Sequence, residues 1–193
     1  MRSRQGIKKS PVSGKFSRRL VIDSDVMQSA GGAKAGDSTS IRCREILRTI
    51  LKVCHRVVET PEIVEEQRRH LSRFSRTWLV HMNGPKKVDD LGSVKNPVLR
   101  SRIRKRLRLK PKQYQALLKD LFLIEAALVS DKIVISREEE VRRLLGQAAQ
   151  ELPELRDITW VNPDDPAFDC IAWLEQGAKP VKECFLGPAG NRL

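Results

Sequence analysis

Short apolar runs alternate with helical repeats of apolar residues along the chain. A continuous apolar run of a few residues is typical of a strand buried on both faces, whereas spacing of three and four residues is typical of an amphipathic helix. Such runs predict strands at residues 20–22, 56–58, 132–136 and 157–161. Helical spacing predicts helices at residues 40–53, 60–82, 98–112, 112–128, 138–150 and 165–175. This alternation predicts a three-layer α/β/α domain with a mainly parallel central sheet of about four strands.

Segments of different composition flank and interrupt this domain, which we place at residues 19–177. Residues 1–18 are rich in Lys and Arg, contain no acid, and predict a flexible basic tail. Residues 29–39 are rich in Gly, Ser and Ala, which indicates a loop. Residues 178–193 predict a loose C-terminal tail.

A basic insertion is predicted at residues 83–112. Its first part, residues 83–97, is polar and predicts a linker. Its second part combines apolar residues at helical spacing with dense positive charge. The basic residues there are Arg100, Arg102, Arg104, Lys105, Arg106, Arg108, Lys110 and Lys112. A basic amphipathic helix of this kind suits nucleic acid, an anionic membrane surface or a protein partner.

The composition points to a polyanionic partner. The chain has 193 residues, with 37 Lys and Arg against 24 Asp and Glu, and a net charge of +13. Such a charge favours nucleic acid as the partner, with an anionic membrane second. The alternative explanation is that the charge only keeps the protein soluble. Aromatic residues make up 5%, so we expect phosphate contacts to outweigh base stacking. No apolar run reaches the roughly 18 residues of a membrane helix, and we expect no membrane partner.

The cysteines and histidines show no spacing that indicates a metal site. Cys43, Cys54, Cys170 and Cys184 lie far apart, without a CxxC pair, which argues against structural zinc. The three histidines form no HxxxH or HExxH pattern. Scattered cysteines and no secretory signal predict a cytoplasmic protein with reduced thiols.

Acidic residues stand at the ends of predicted strands and near the starts of predicted helices. Asp23 follows the first strand, Glu66 lies about one turn into the helix after the second, and Glu138 follows the third. Strand ends and the helix starts that follow them share one edge of a parallel sheet, so topology alone predicts that two of these groups meet there. Asp120 lies in an otherwise apolar helix and joins them only if that helix packs across the same edge.

Carboxylates gathered at one edge point to a divalent cation. They repel one another unless a cation compensates their charge, and oxygen ligands suit Mg²⁺ or Mn²⁺. A cation held there lowers the pKa of water and stabilises charge on a phosphodiester. An acidic centre in a basic chain is the electrostatic layout of a nuclease. Taken singly, each acid is also explained as a helix cap or a loop residue.

Four motifs in this order resemble those of the PIN-domain nucleases, a family of metal-dependent ribonucleases that includes bacterial toxin components. The opening strand of that family ends in Asp followed by Thr or Ser, as in Val21-Ile22-Asp23-Ser24. Next come a Glu six residues after a Ser or Thr, an Asp that opens an apolar helix, and an acid after a strand in the pattern Thr-x-Asp. The corresponding segments here are Thr60 to Glu66, Asp120-Leu121-Phe122 and Ser136-Arg137-Glu138. The resemblance covers about residues 19–175.

The resemblance implies cleavage of single-stranded RNA by metal-activated water, leaving 5′-phosphate and 3′-hydroxyl ends. The catalytic residues and Mg²⁺ or Mn²⁺ ligands that it implies are Asp23, Glu66, Asp120 and Glu138. We expect Asp25 and Ser136 to orient these ligands. The residues expected to bind the RNA backbone are Arg68, Arg69, Arg73, Arg102, Arg104, Lys105, Arg106 and Arg108. Besides RNA, an antitoxin-like protein and a second copy of the chain are candidate partners.

Departures from the family pattern leave two alternatives open. Ser136 and Glu138 stand where the family commonly has Thr and Asp, and a Glu carboxylate reaches about 1.5 Å further, the length of one bond. A catalytically degraded PIN-like module that only binds RNA is therefore an alternative. Asp23-Ser24-Asp25 is also similar to the DxDx[TV] motif of haloacid-dehalogenase-like phosphatases, although Met27 occupies its fifth position. The late acids Asp164-Asp165 could supply the metal site of such a phosphatase, but the prolines around them indicate a turn.

Overall fold

A computed structural model describes residues 17–31 and 37–187 of the chain. Most of the predicted basic tail, at residues 1–16, lies outside the described residues. So do residues 32–36 of the predicted loop and residues 188–193 of the predicted C-terminal tail.

Five parallel strands form the central sheet. They are β1 (Arg19–Ile22), β2 (Arg56–Glu59), β3 (Val88–Asp90), β4 (Ile133–Ile135) and β5 (Thr159–Val161). Their order across the sheet is β3-β2-β1-β4-β5, and each neighbouring pair is parallel. The α/β fold with a parallel sheet is as predicted, with one strand more than expected.

The additional strand, β3, lies in the segment predicted as a linker. It contains one apolar residue, Val88, followed by Asp89 and Asp90, so it carries no strand signal of its own. Its position depends on β2: Leu91 donates a backbone hydrogen bond to Glu59, and Arg56 forms an ion pair with Asp89. A short acidic strand is suited to the edge of a sheet, because charge there opposes pairing with other chains.

Helices cover both faces of the sheet and complete the three layers. They are α1 (Ser24–Ser29), α2 (Ser38–Val53), α3 (Pro61–His70), α4 (Arg73–Asn83), α5 (Pro97–Leu107), α6 (Pro111–Leu118), α7 (Leu121–Leu128), α8 (Glu139–Glu151) and α9 (Cys170–Glu175). Alternate residues of β1 enter different cores, as expected for a strand buried on both faces. Leu20 and Ile22 pack with α1, α2, α4 and α9, whereas Val21 packs with α3 and α5 to α8.

Two helices predicted as continuous are each broken in the structure. The segment predicted as a helix over residues 60–82 divides into α3 and α4, with Leu71 extended between them. At the break, the hydroxyl of Ser72 accepts a hydrogen bond from the Ser75 N–H at 3.2 Å and donates one to the Met27 carbonyl at 2.9 Å. The segment 112–128 divides into α6 and α7, and Asp120 occupies the position just before α7 begins.

The first part of the segment predicted as a C-terminal tail packs against the sheet. Cys184 and Leu186 are buried, and Phe185 pairs with Thr159 in an antiparallel bridge. None of the helices in the described part of the chain combines the length and the apolar character needed to cross a membrane.

Candidate active site

The candidate site lies at the switch point of the sheet, where the direction in which successive strands are added reverses. The chain adds β2 and β3 on one side of β1 and then β4 and β5 on the other, which leaves a crevice at the carboxyl ends of β1 and β4. Asp23 follows β1, and its N–H donates to the Ile135 carbonyl at 3.0 Å. Ser136 follows β4, so both residues stand at the crevice.

A cavity of about 180 Å³ opens at this point. Its lining residues are Asp23, Ser24, Asp25, Gln28, Glu66, His70, Asp120 and Glu138. The structure therefore brings all four predicted ligand residues to one cavity. The volume corresponds to about six water molecules and is below the roughly 300–1,000 Å³ of typical small-molecule pockets. It can hold an ion with a few waters and a single anionic group, while the rest of a larger ligand stays outside.

Helix geometry explains how two of these acids reach the cavity. Helix α3 begins directly after β2, where the Thr60 hydroxyl accepts a hydrogen bond from the Ile63 N–H at 3.3 Å. Helix α3 packs against α1, and Glu66 lines the cavity together with Gln28 of α1. Helix α7 runs back across the sheet before β4, so Asp120 at its start lies at the carboxyl edge of the strands. The side chain of Asp120 makes no capping hydrogen bond, which leaves its carboxylate facing the other acids.

Ser136 and Asp25 stand next to the predicted ligands. The Ser136 hydroxyl donates to Asp23 Oδ2 at 2.7 Å and accepts from the Glu138 N–H at 3.1 Å. Asp25 Oδ2 accepts from the Arg137 N–H at 3.1 Å. Asp25 Oδ1 is buried and has no hydrogen-bond partner among the described residues.

The electrostatics of the cavity favour protonation or a cation. Burial raises the pKa of Asp23, and the hydrogen bond from Ser136 opposes this rise. Burial followed by repulsion from Asp23 raises the pKa of Asp25 to about 8. Burial followed by repulsion from Asp23, Glu138 and Glu66 raises the pKa of Asp120 to about 7. The carboxylates predicted as ligands therefore repel one another.

The donor set fits a hard divalent cation in its chemistry. Carboxylate oxygens are the ligands of Mg²⁺ and Mn²⁺, and the buried Oδ1 of Asp25 has no hydrogen-bond partner among the described residues, which an ion or its water would supply. Within residues 17–31 and 37–187, no three Asp, Glu, His or Cys side chains are grouped closely enough to hold an ion as they stand. Uncompensated carboxylates repel, so an ion would have to draw the side chains together.

The basic residues predicted to bind RNA fall into two groups. Arg102 forms an ion pair with Glu154, and Arg106 pairs with Glu151 at 2.6 Å. Glu151 ends α8, about 18 Å from the start of that helix beside the cavity, at 1.5 Å per residue. The guanidinium of Arg104 lies over the Tyr114 ring at 5.1 Å. Arg102 and Arg106 of α5 are thus paired near the end of α8 that lies away from the cavity. Lys105 of α5 and the following Arg108 are exposed.

The second group lies on α3 and at the start of α4. Arg69 forms an ion pair with Glu65 at 2.8 Å. Arg68 and Arg73 are exposed and have no acidic partner in the described part of the chain. His70, three residues before Arg73, lines the cavity itself.

Sequence reasoning missed four residues of this site. Ser24, Gln28 and His70 line the cavity, and the charge of Lys119 lowers the pKa of Asp120. Helical spacing could have found His70, because it lies four residues after Glu66 and therefore on the same face of α3. Nothing in the local sequence distinguishes Gln28 from other polar helix residues.

The late acids considered for a phosphatase site do not join this cavity. Asp164 accepts hydrogen bonds from Thr39 at 2.9 Å and from Arg137 at 2.8 Å, and pairs with Arg42 at 3.4 Å. Those contacts lower the pKa of Asp164, although burial opposes them. Asp165 lines a different pocket, beside α9.

No protein family, curated protein or solved structure matches the chain. The chemistry of the site therefore rests on the residues themselves.

Proposed function

We propose that this protein is a metal-dependent endoribonuclease of the PIN type, which hydrolyses phosphodiester bonds of single-stranded RNA. The observation that supports this proposal is the convergence of Asp23, Glu66, Asp120 and Glu138 on one small cavity at the switch point of a parallel sheet. The net charge of +13 supports a polyanionic substrate.

The proposed mechanism assigns a role to each part of the cavity. Asp23, Glu66 and Asp120 would hold Mg²⁺ or Mn²⁺, with Glu138 completing the set. A bound cation of this kind supplies a more acidic water and stabilises negative charge on a phosphate. Ser136 fixes the Asp23 carboxylate through its 2.7 Å hydrogen bond.

The surroundings of the cavity suit a phosphodiester of an extended strand. The cavity admits one anionic group but is too small to enclose a nucleotide. Arg68 on α3 and Arg73 at the start of α4 are exposed and can contact phosphates of a bound strand. A single-stranded substrate can bend to bring one phosphate to the acids while its flanking phosphates lie on these arginines.

A cleavage assay with end-labelled single-stranded RNA tests the proposal. We expect shortened products with 3′-hydroxyl ends in Mn²⁺ or Mg²⁺ and none in excess EDTA. Cleavage that persists in EDTA would contradict the proposal, and so would products with cyclic phosphate ends. Hydrolysis of p-nitrophenyl phosphate without RNA cleavage would favour the phosphatase alternative instead.

A second candidate function is RNA binding without cleavage. The spread arrangement of the acids and the exposed position of Glu138 favour it. Salt-sensitive RNA binding with no product under either metal would establish this alternative and reject the first.

A further inference from the structure

His70 adds a nitrogen base to the carboxylate cavity. It ends α3 and lies one turn after Glu66, so both side chains project from the same face of the helix. Its Nε2 lies 3.2 Å from Glu66 Oε1, and the two side chains are 41% and 36% exposed. The pair can therefore be reached from solvent without unfolding any element.

The separation of these two atoms suits shared coordination. Adjacent ligands of an octahedral cation, each about 2.1–2.2 Å from the ion and at right angles, lie about 3.0–3.1 Å apart. The observed 3.2 Å is close to this value, although it is also a hydrogen-bond distance. Asp25 also lines the cavity, and its buried Oδ1 has no hydrogen-bond partner among the described residues, so the hydrogen bonding of the site is incomplete.

We infer that His70 is a nitrogen ligand of the cation bound in this cavity, and that the site therefore prefers Mn²⁺ to Mg²⁺. This inference rests on the proposed function, because it uses the same carboxylates. Mg²⁺ takes oxygen ligands almost exclusively, whereas first-row transition-metal ions accept imidazole as well. The competing role for His70 is to orient Glu66 by a hydrogen bond without touching the ion.

Electron spin echo spectroscopy of bound Mn²⁺ distinguishes the two roles. The untagged full chain is loaded with Mn²⁺ alone, and the spectrum is examined for coupling to a directly bound ¹⁴N nucleus. We expect this coupling in the wild type and its loss in His70→Gln. The matched control is His81→Gln, an exposed histidine on α4 that does not line the cavity and should keep the coupling.

Affinities of the ions alone provide the second measurement. We expect His70→Gln to weaken Mn²⁺ binding by about tenfold or more, the range typical of residues that support a metal. Mg²⁺ affinity should change by about twofold at most, since this ion gains little from imidazole. Circular dichroism verifies that each variant is folded.

The outcomes separate this inference from the proposed function. Mn²⁺ that binds without nitrogen coupling in the wild type, or coupling that survives in His70→Gln, would overturn the role of His70 and leave a carboxylate site intact. Mn²⁺ that does not bind at all, or that binds equally to Asp120→Asn, would overturn the proposed metal site and this inference together.

Discussion

Ser136 Oγ donates a 2.7 Å hydrogen bond to Oδ2 of Asp23, across the junction between β4 and β1. The two residues are 113 positions apart in the chain, and both are almost fully buried. The same hydroxyl accepts the N–H of Glu138, so one oxygen positions two of the predicted ligands. This hydroxyl therefore links the ends of β1 and β4 to two of the predicted ligands.

Replacing Ser136 should impair the site more than the fold. Ser136→Ala removes the donor that lowers the pKa of Asp23 and leaves the Glu138 N–H without its acceptor. We expect cation affinity to fall by about 10–100-fold and stability by about 1–2 kcal/mol. Ser136→Thr keeps the hydroxyl and is the matched control. Equal loss of cation affinity in both variants, measured by calorimetric titration, would show that the Ser136 hydroxyl does not determine cation binding.

Asp120 should destabilise the protein when no cation is present. Its pKa of about 7 lies above the ordinary 3.8, so between about pH 4 and 7 the folded protein holds a proton that the unfolded chain has released. Stability is therefore lost as the pH rises through this window and does not recover above it. Asp120→Asn removes the penalty, and we expect it to stabilise the protein in EDTA by on the order of 1–3 kcal/mol at pH 8.

At pH 5 this gain should fall to less than half, because the folded-state carboxyl is then protonated. Urea unfolding at the two pH values measures both free energies. Asp157→Asn serves as the control, because Asp157 is exposed and its ion pair with Lys132 is long, at 3.7 Å. A variant that is less stable than the wild type at pH 8 would contradict the proposed repulsion at Asp120.

Divalent cations should stabilise the wild type most at high pH. Protons on Asp25 and Asp120, whose pKa values are about 8 and 7, compete with the cation at lower pH. We expect saturating Mn²⁺ to raise the melting temperature by about 5 °C at pH 8 and by much less at pH 5.5. Equal shifts at the two pH values, measured by calorimetry, would indicate that the cation binds elsewhere.

RNA affinity should depend on the exposed arginines of α3 and α4 that form no ion pair in the described part of the chain. The double variant Arg68→Gln/Arg73→Gln should weaken RNA binding by about tenfold at 0.1 M salt and lower the salt-dependence slope by about two. Arg102→Gln/Arg106→Gln removes the same charge from residues already paired with Glu154 and Glu151, and should change affinity by less than about threefold. Both are measured in EDTA by fluorescence anisotropy. Equal effects would mean that net charge alone governs binding.

The buried pair of Arg100 and Glu125 should hold α5 on α7. Glu125 is 2% exposed and accepts from Arg100 at 2.7 and 2.6 Å and from the Asn96 N–H at 2.8 Å. Arg100→Met leaves an uncompensated buried charge and should cost about 3–5 kcal/mol. Adding Glu125→Leu should recover most of this loss. If the double variant is as unstable as the single one in thermal unfolding, packing rather than charge explains the effect.

The predictions from sequence succeeded where a local signal matched the tertiary arrangement. The apolar runs of β1 and β4 are buried on both faces, and the acids after them reach the site because parallel strands end at one edge. The predictions from sequence failed where local structure depends on residues that are distant in the chain. Strand β3 has no apolar run and forms by pairing with β2. The break at Ser72 depends on a hydrogen bond to Met27, 45 residues away.

Charge patterns in the sequence do not show which basic residues form ion pairs in the fold. The basic helix α5 predicted an RNA-binding surface, but Arg102 and Arg106 form ion pairs with α8 and the turn after it. Sequence spacing cannot show these partners, because they lie about 50 residues away. Arg68 and Arg73 gave a weaker signal, yet they are exposed and have no acidic partner in the described part of the chain.

Single-turnover cleavage of single-stranded RNA by the wild type and Asp120→Asn, in Mn²⁺ and at pH 8, tests the central claim most directly. The proposed function predicts that the wild type cleaves and that Asp120→Asn, folded and at least as stable in EDTA, is slower by about a hundredfold or more, equivalent to about 2.7 kcal/mol. Asp157→Asn should cleave at the wild-type rate. An Asp120→Asn variant that cleaves as fast as the wild type would contradict the assignment of this carboxylate cavity as the active site.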